Sequence, residues 1–136
     1  GGGKNLYHLS YIDDLTDGII LCGEHPNAVG ERFILCSNEY DTLKALTATI
    51  ARQLNVKEPN LSLPVAPLML AAKVCEALCK PLGIDPPLHT RRVEFFVKSR
   101  AFDNSKARKL LGYEPKIGTE EGVKRTIAWY EDNDLL

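Results

Sequence analysis

The sequence has no excess of either charge: 17 Lys and Arg stand against 18 Asp and Glu, a net charge of -1. That balance provides no broad footprint for nucleic acid or an anionic membrane. The basic residues at Arg91-Arg92 and from Lys106 to Lys109 read as local, solvated faces. No apolar run reaches the roughly 20 residues that span a bilayer. The first residues lack the charged-then-apolar order of a secretion signal. Neither a nucleic-acid nor a membrane partner is expected, and the expected location is cytoplasmic.

Motifs for metals and cofactors are scarce as well. Four cysteines, Cys22, Cys36, Cys75 and Cys79, lie inside apolar segments. Cys75 and Cys79 are four apart on an expected helix, but no second Cys/His pair stands at metal-site spacing. They read as small buried thiols. No Gly-x-x-Gly-x-x-Gly follows a strand, which excludes a dinucleotide pyrophosphate site within these residues. Gly1-Gly2-Gly3-Lys4 has neither the glycine spacing nor the following Ser/Thr of a phosphate loop, and reads as a flexible turn.

What is present fits one domain of 136 residues, 44% hydrophobic and 26% charged, long enough to bury a core. Tyr7 to Ile12 alternates as a short strand should, and Asp13 or Asp14 is placed to cap a helix from about Leu15 to Gly23. Ile19, Ile20 and Cys22 are expected to form its buried face. Glu24 to Glu31 is rich in turn residues. Arg32 to Ser37 reads as a strand buried on both faces. Asn38, Asp41 or Thr42 then opens a helix to about Leu54, with Leu43, Leu46, Ile50 and Leu54 as its core stripe. Lys57 to Pro67 reads as an extended linker, and an apolar helix follows from Leu68 to Lys80. Val93 to Val97 reads as another strand. Asp103 is placed to cap a short helix that Gly112 stops and Pro115 keeps from resuming. A last helix runs from about Thr119, its cap, to Asn133, with Trp129 and Tyr130 as packing residues.

The stretch Arg100-Ala101-Phe102-Asp103-Asn104-Ser105-Lys106 through Leu111-Gly112-Tyr113-Glu114-Pro115 to Trp129-Tyr130 resembles the C-terminal signature of extended short-chain dehydrogenases/reductases, the NAD-dependent epimerase/dehydratase family. Tyr11-Ile12-Asp13-Asp14-Leu15 is similar to a second signature of that family, in which the Asp fixes a strand–helix junction. The resemblance covers nearly the whole chain but only the C-terminal part of the family's usual length. It implies an α/β fold: a helix-rich C-terminal fragment with a few short strands, lacking the Gly-rich dinucleotide-binding half. Residues 1–136 would be a single substrate-binding lobe plus edge elements of the missing Rossmann domain. Tyr40 and Lys44 have the Tyr-x-x-x-Lys spacing of short-chain reductase catalysis, but in the family that motif precedes the Asp13-Asp14 signature. The pair is therefore a coincidence.

The resemblance also implies a function. The parent would be an NAD(P)-dependent epimerase or dehydratase acting on nucleotide sugars, taking hydride from a sugar carbinol while a tyrosinate takes the proton. This part would be inactive alone and would bind no NAD or NADP tightly. Its expected partners are the nucleotide-sugar substrate, the missing N-terminal Rossmann half and, through uncovered apolar helices, a second copy. Arg100 is the leading candidate for the substrate diphosphate, since a guanidinium can hold two phosphate oxygens at once. Arg91 and Arg92 are the alternatives, and a purely structural Arg100 would pair with Asp103 or cap backbone carbonyls. His8 lies near positions that face the sugar nucleotide in relatives. Two further readings stand beside this one: part of a steroid- or dihydroflavonol-type reductase, in which Arg100 would face an apolar pocket, and a non-catalytic binding or assembly module.

Overall fold

The computed structural model describes all 136 residues as six α-helices and one small sheet. In chain order these are β1 (Leu6–Tyr7), α1 (Ile12–Glu24), β2 (Asp41–Thr42), α2 (Leu43–Gln53), α3 (Val65–Cys79), α4 (Thr90–Val97), α5 (Ser105–Leu111) and α6 (Thr119–Asp132). The two strands pair antiparallel, Leu6 with Thr42 and Tyr7 with Asp41. The fold is the helix-rich arrangement expected, with less strand than the sequence suggests.

Two expected strands are absent, for different reasons. Val93–Val97 is the body of α4. Its aromatic and β-branched residues favour a strand locally. Packing against α3 instead buries Val93 and selects the helix. Residues 32–37, by contrast, form no ladder because no strand lies beside them. No main-chain N–H or C=O from residue 32 to residue 36 bonds to another main-chain group. Only side chains reach this segment: Lys106 donates to the Arg32 carbonyl, and Asn104 Nδ2 to those of Cys36 and Ser37.

Helix starts also depart from the expected caps. Helix α1 begins at Ile12 with Tyr11 as its cap residue, so neither Asp13 nor Asp14 caps it. Asp14 is buried and accepts instead from the backbone N–H groups of Lys116 (3.0 Å) and Ile117 (2.9 Å). Thr42 caps α2 as expected, accepting from the Ala45 N–H at 3.1 Å. Asp103 accepts from the N–H and Oγ of Ser105, one residue before the cap position that Asn104 occupies. Gly118, not Thr119, precedes α6. Helix α3 starts three residues early, at Val65, because Pro67 is tolerated in a first turn whose N–H groups have no helical partner.

The first 42 residues and residues 100–118 build one body. Gly18 of α1 lies against Tyr113 and Leu35: a β-carbon there would stand 2.8 Å from Tyr113 Cε2. Gly112, at φ 67°, closes α5, its N–H reaching the Arg108 carbonyl and the next N–H reaching that of Ala107. That turn sends Tyr113 inward, where it is fully buried. Asn104, itself buried, ties α5 to the unpaired segment. The Arg100 N–H donates to the Leu6 carbonyl at 2.8 Å.

The remaining stretch, from α2 to α4, is held more loosely. Glu76 of α3 accepts from Lys80 Nζ at 2.8 Å and from the Thr90 N–H at 2.7 Å, joining α3 to α4. The expected core is thin. Only 13 of 136 residues are buried. Ile19 and Ile20 of α1, read as its buried face, are 59% and 49% exposed, while Gly18 and Asp14 are buried there. Trp129, read as packing, is 56% exposed, as are many apolar residues of α3. The accessible surface is 9720 Å², against about 7100 Å² for a compact monomer of this mass. Apolar side chains of α1 and α3 are uncovered.

Candidate functional site

A cleft of about 1080 Å³ opens between the N-terminal turn, the start of α2, residues 58–63 and α4. Its lining is mixed in chemistry. Leu63, Val65, Leu68, Leu88, Val93 and Phe96 contribute apolar lining, and Lys4, Asn5, Lys44, Thr47, Arg92 and Ser99 contribute polar lining. Such a space suits a ligand with an apolar body and a polar end.

The four residues singled out from the sequence do not converge on one point. Arg92 lines this cleft, and both it and Arg91 are exposed. Neither belongs to an ion pair; those involve Arg52, Lys80, His89, Lys98, Lys106 and Arg125. Arg100 caps a carbonyl, the second of its structural alternatives, and does not pair with Asp103. Its guanidinium lies 4.4 Å from the centre of the Phe95 ring and donates to the Phe95 carbonyl at 3.1 Å. The site around it is aromatic: Phe95 is edge-on to Tyr7 and to Phe96.

His8 is bonded through both ring nitrogens. Nδ1 accepts from the Phe102 N–H at 3.1 Å, so Nε2 carries the proton and donates to the Ser37 carbonyl at 2.9 Å. The ring stacks on Phe102 and meets Tyr40 edge-on. In this state the imidazole is a neutral link between β1, the unpaired segment and the entry to α5.

Tyr40 precedes β2 and Lys44 is the second residue of α2, so the two do not share a helix, as expected of a coincidental spacing. The thiols are all free; burial, and then nearby Asp103, push Cys36 above the usual thiol value. No cluster of three or more His, Cys, Asp or Glu is arranged to hold a metal. No helix is long and apolar enough to cross a membrane. A second, smaller groove of about 410 Å³ separates α2 from α6 and is lined by Leu46, Ile50, Ile117, Val123 and Tyr130. Sequence reasoning missed Asn5 and Phe96. A lone Asn in a glycine-rich turn carries no motif, and Phe96 was assigned to a strand.

Sterol-4-alpha-carboxylate 3-dehydrogenase of Saccharomyces cerevisiae is 29% identical over 97% of this chain and 40% of its own length. The crystal structure of gox2253 superposes with a TM-score of 0.77 at 28% identity, over 97% of this chain and 39% of that one. UDP-glucuronic acid 4-epimerase from Bacillus cereus, solved with UDP-glucuronic acid and NAD, superposes with a TM-score of 0.64 at 17% identity, over 98% of this chain and 34% of that one. The chain matches the C-terminal part of the extended short-chain dehydrogenases/reductases. No family model matches it. The chain spans about two-fifths of the length of the curated relatives it matches first. Within this dehydrogenase/reductase match, the sequence signatures have concrete roles. Asp14 binds the Lys116–Ile117 backbone and Gly112 sends Tyr113 into the core, so both are architectural.

Proposed function

We propose that this chain is the substrate-binding part of an NAD-dependent dehydrogenase/reductase, and that its substrate is an alcohol on an apolar, steroid-like skeleton. The observation that carries this reading is the cleft of mixed lining, whose Leu68, Leu88 and Phe96 side chains would lie against such a skeleton. The placing of Arg100 supports it, because the guanidinium lies over the Phe95 ring, donates to the Phe95 carbonyl and is not among the residues lining the cleft. So does the yeast relative, whose name records a sterol carboxylate. The epimerase is similar only at the level of fold.

The chain's own residues do not fit a dinucleotide. They include no glycine-rich strand–turn–helix and no Ser–Tyr–Lys set on one helix, so no redox step is assigned to them. Under this reading NAD binds a Rossmann half outside these residues, the protein is cytoplasmic, and residues 1–136 are inactive alone. The naked segment 32–36 would then add an edge strand to the sheet of that half. The uncovered α1 and α3 faces favour self-association when the half is missing.

A second reading, a nucleotide-sugar substrate, draws on Arg92, an unpaired guanidinium on the cleft. Arg91, Arg100 and His8 would then be its accessories. Amide NMR separates the two. Dehydroepiandrosterone should shift Leu68 and Phe96, with UDP-glucose leaving them unmoved. Shifts from UDP-glucose alone, centred on Arg91, Arg92 and Arg100, would replace the steroid reading. Turnover by residues 1–136 with NAD would refute the inactivity.

A further inference from the structure

Helix α3 ends on a pair of thiols that belong to neither the cleft nor the groove. Cys75 and Cys79 are four residues apart on one helix, so they share a face, with β-carbons about 5–6 Å apart. Expected to be buried, both are part-exposed, whereas Cys36 is buried. Gly83, at φ 69°, turns the chain back towards the helix, and the Ile84 N–H donates to the Cys79 carbonyl at 3.2 Å. Partial burial, then the neighbouring Cys75 thiol and the Asp85 carboxylate, push the Cys79 thiol above its usual value. The two sulphurs are therefore neighbours, and solvent reaches both residues.

The polar groups around the pair already have partners. His89 Nε2 is bonded to Asp85 Oδ1 at 3.1 Å, and Glu76 accepts from Lys80 Nζ and the Thr90 N–H. Cys36 donates to a carbonyl, that of Phe102 at 3.9 Å, but Cys75 and Cys79 have no such partner. Geometry separates the three uses of a dithiol. A disulfide needs β-carbons about 3.5–4.5 Å apart, closer than one turn of intact helix allows. A structural zinc site needs four ligands, and no third His, Cys, Asp or Glu is arranged to join these two. One ion bridging two thiolates needs neither. With metal–sulphur bonds of about 2.3 Å it spans sulphurs up to about 4.6 Å apart, which side chains one helical turn apart can reach. Thiolates without oxygen or nitrogen ligands select soft ions, copper(I) among them.

We propose that Cys75 and Cys79 form a two-thiolate site for a soft, two-coordinate cation of the copper(I) kind. Binding replaces two S–H bonds with two metal–sulphur bonds; the two protons leave to solvent and no electron is transferred. The site stands apart from the cleft and does not depend on what the cleft receives. Its ion would staple the last turn of α3, from which the chain turns at Gly83 towards α4.

The test uses the full 136-residue chain, isotope-labelled, reduced and free of oxygen. Copper(I) is supplied as its acetonitrile complex in competition with the chelator bathocuproine disulfonate. The parent should draw one ion per chain from the chelator. The Cβ signals of Cys75 and Cys79 should shift, and amide exchange at Lys80 and Ile84 should slow. Cys75→Ser and Cys79→Ser should each lose this binding, while a double variant, Cys22→Ser with Cys36→Ser, should keep it. Serine is close in size to cysteine and both positions are part-exposed, so a spectrum matching the parent certifies the fold; Cys75→Ala and Cys79→Ala replace any serine variant that fails this check. Copper(I) that stays on the chelator, or binding that survives loss of either thiol, would overturn the site. Zinc(II) held as tightly by the same pair would reveal further ligands and end the two-coordinate assignment. A Cys75–Cys79 disulfide formed by oxidised glutathione with α3 still fully helical would also count against it, because the sulphurs would then already meet without an ion.

Discussion

Gly18 and Tyr113, 95 positions apart in sequence, are in direct contact, with no room for a β-carbon between α1 and the tyrosine ring. Leu35 closes the same space from the side, at 3.0 Å from where that carbon would stand. The neighbours are a buried ring and a branched side chain, so neither can swing away without disturbing the small core. Gly18→Ala should therefore destabilise the chain by about 1–3 kcal/mol, the usual cost of overpacking. A urea midpoint equal to that of the parent would show that the contact relaxes freely.

Asp14 should matter as an acceptor rather than as a charge. Its two oxygens each take one backbone N–H from residues 116 and 117. Asp14→Asn keeps the shape but turns an N–H₂ group towards a donor, leaving one buried N–H unpaired. A loss of about 1–3 kcal/mol is expected, read as a lower melting temperature. Faster amide exchange at Lys116 or Ile117 would place the damage at the bond itself.

Glu76 gives the α3–α4 junction a pH dependence. The Lys80 ammonium, and then the Thr90 N–H, lower its carboxyl from 4.5 to about 2. A depressed acid stabilises the fold fully above its unfolded value and loses that contribution as the pH falls through the folded one. The junction should loosen between about pH 4.5 and pH 2. Circular dichroism of the parent should show this loss. Glu76→Gln should be less stable at neutral pH, with its profile flatter over the same window.

Replacing His8 tests its role as a link. His8→Phe retains a ring to stack on Phe102 but removes both bonds, to the Phe102 N–H and the Ser37 carbonyl. Stability should fall by about 1–3 kcal/mol. Exchange at the Phe102 amide should accelerate more than at Arg100, whose N–H is held by Leu6 instead. Equal acceleration at both would mean that the whole strand detaches.

Much of this architecture was legible in the sequence, and the failures have physical causes. Thr42, Gly112, Pro115 and the Leu46–Ile50 stripe specify their elements through local chemistry, and those elements stand where they were expected. Val93–Val97 was misread because its local preference is for strand, whereas its α3 contact is not written in the sequence. Asp14 was misread because a carboxylate near a helix start usually caps it, and nothing local reveals partners 102 and 103 residues away. The buried face of α1 was inverted: Ile19 and Ile20 are as apolar as core residues, but α1 packs through Asp14 and Gly18 instead. In the site, Arg92 could be singled out from its chemistry. Asn5 could not, since a lone Asn in a glycine-rich turn carries no motif.

The interlocking of residues 1–42 with residues 100–118 also orders events in time. Each tie across it, at Asp14, Gly18, Leu6 and Asn104, joins positions 66 to 103 residues apart. Loop closure of that length delays a contact until most of the chain is available. On the ribosome, the first third of the chain must wait unsatisfied until residue 117 has emerged. During synthesis the unpaired segment 32–36 is thus open to a chaperone for longer than any helix made after it.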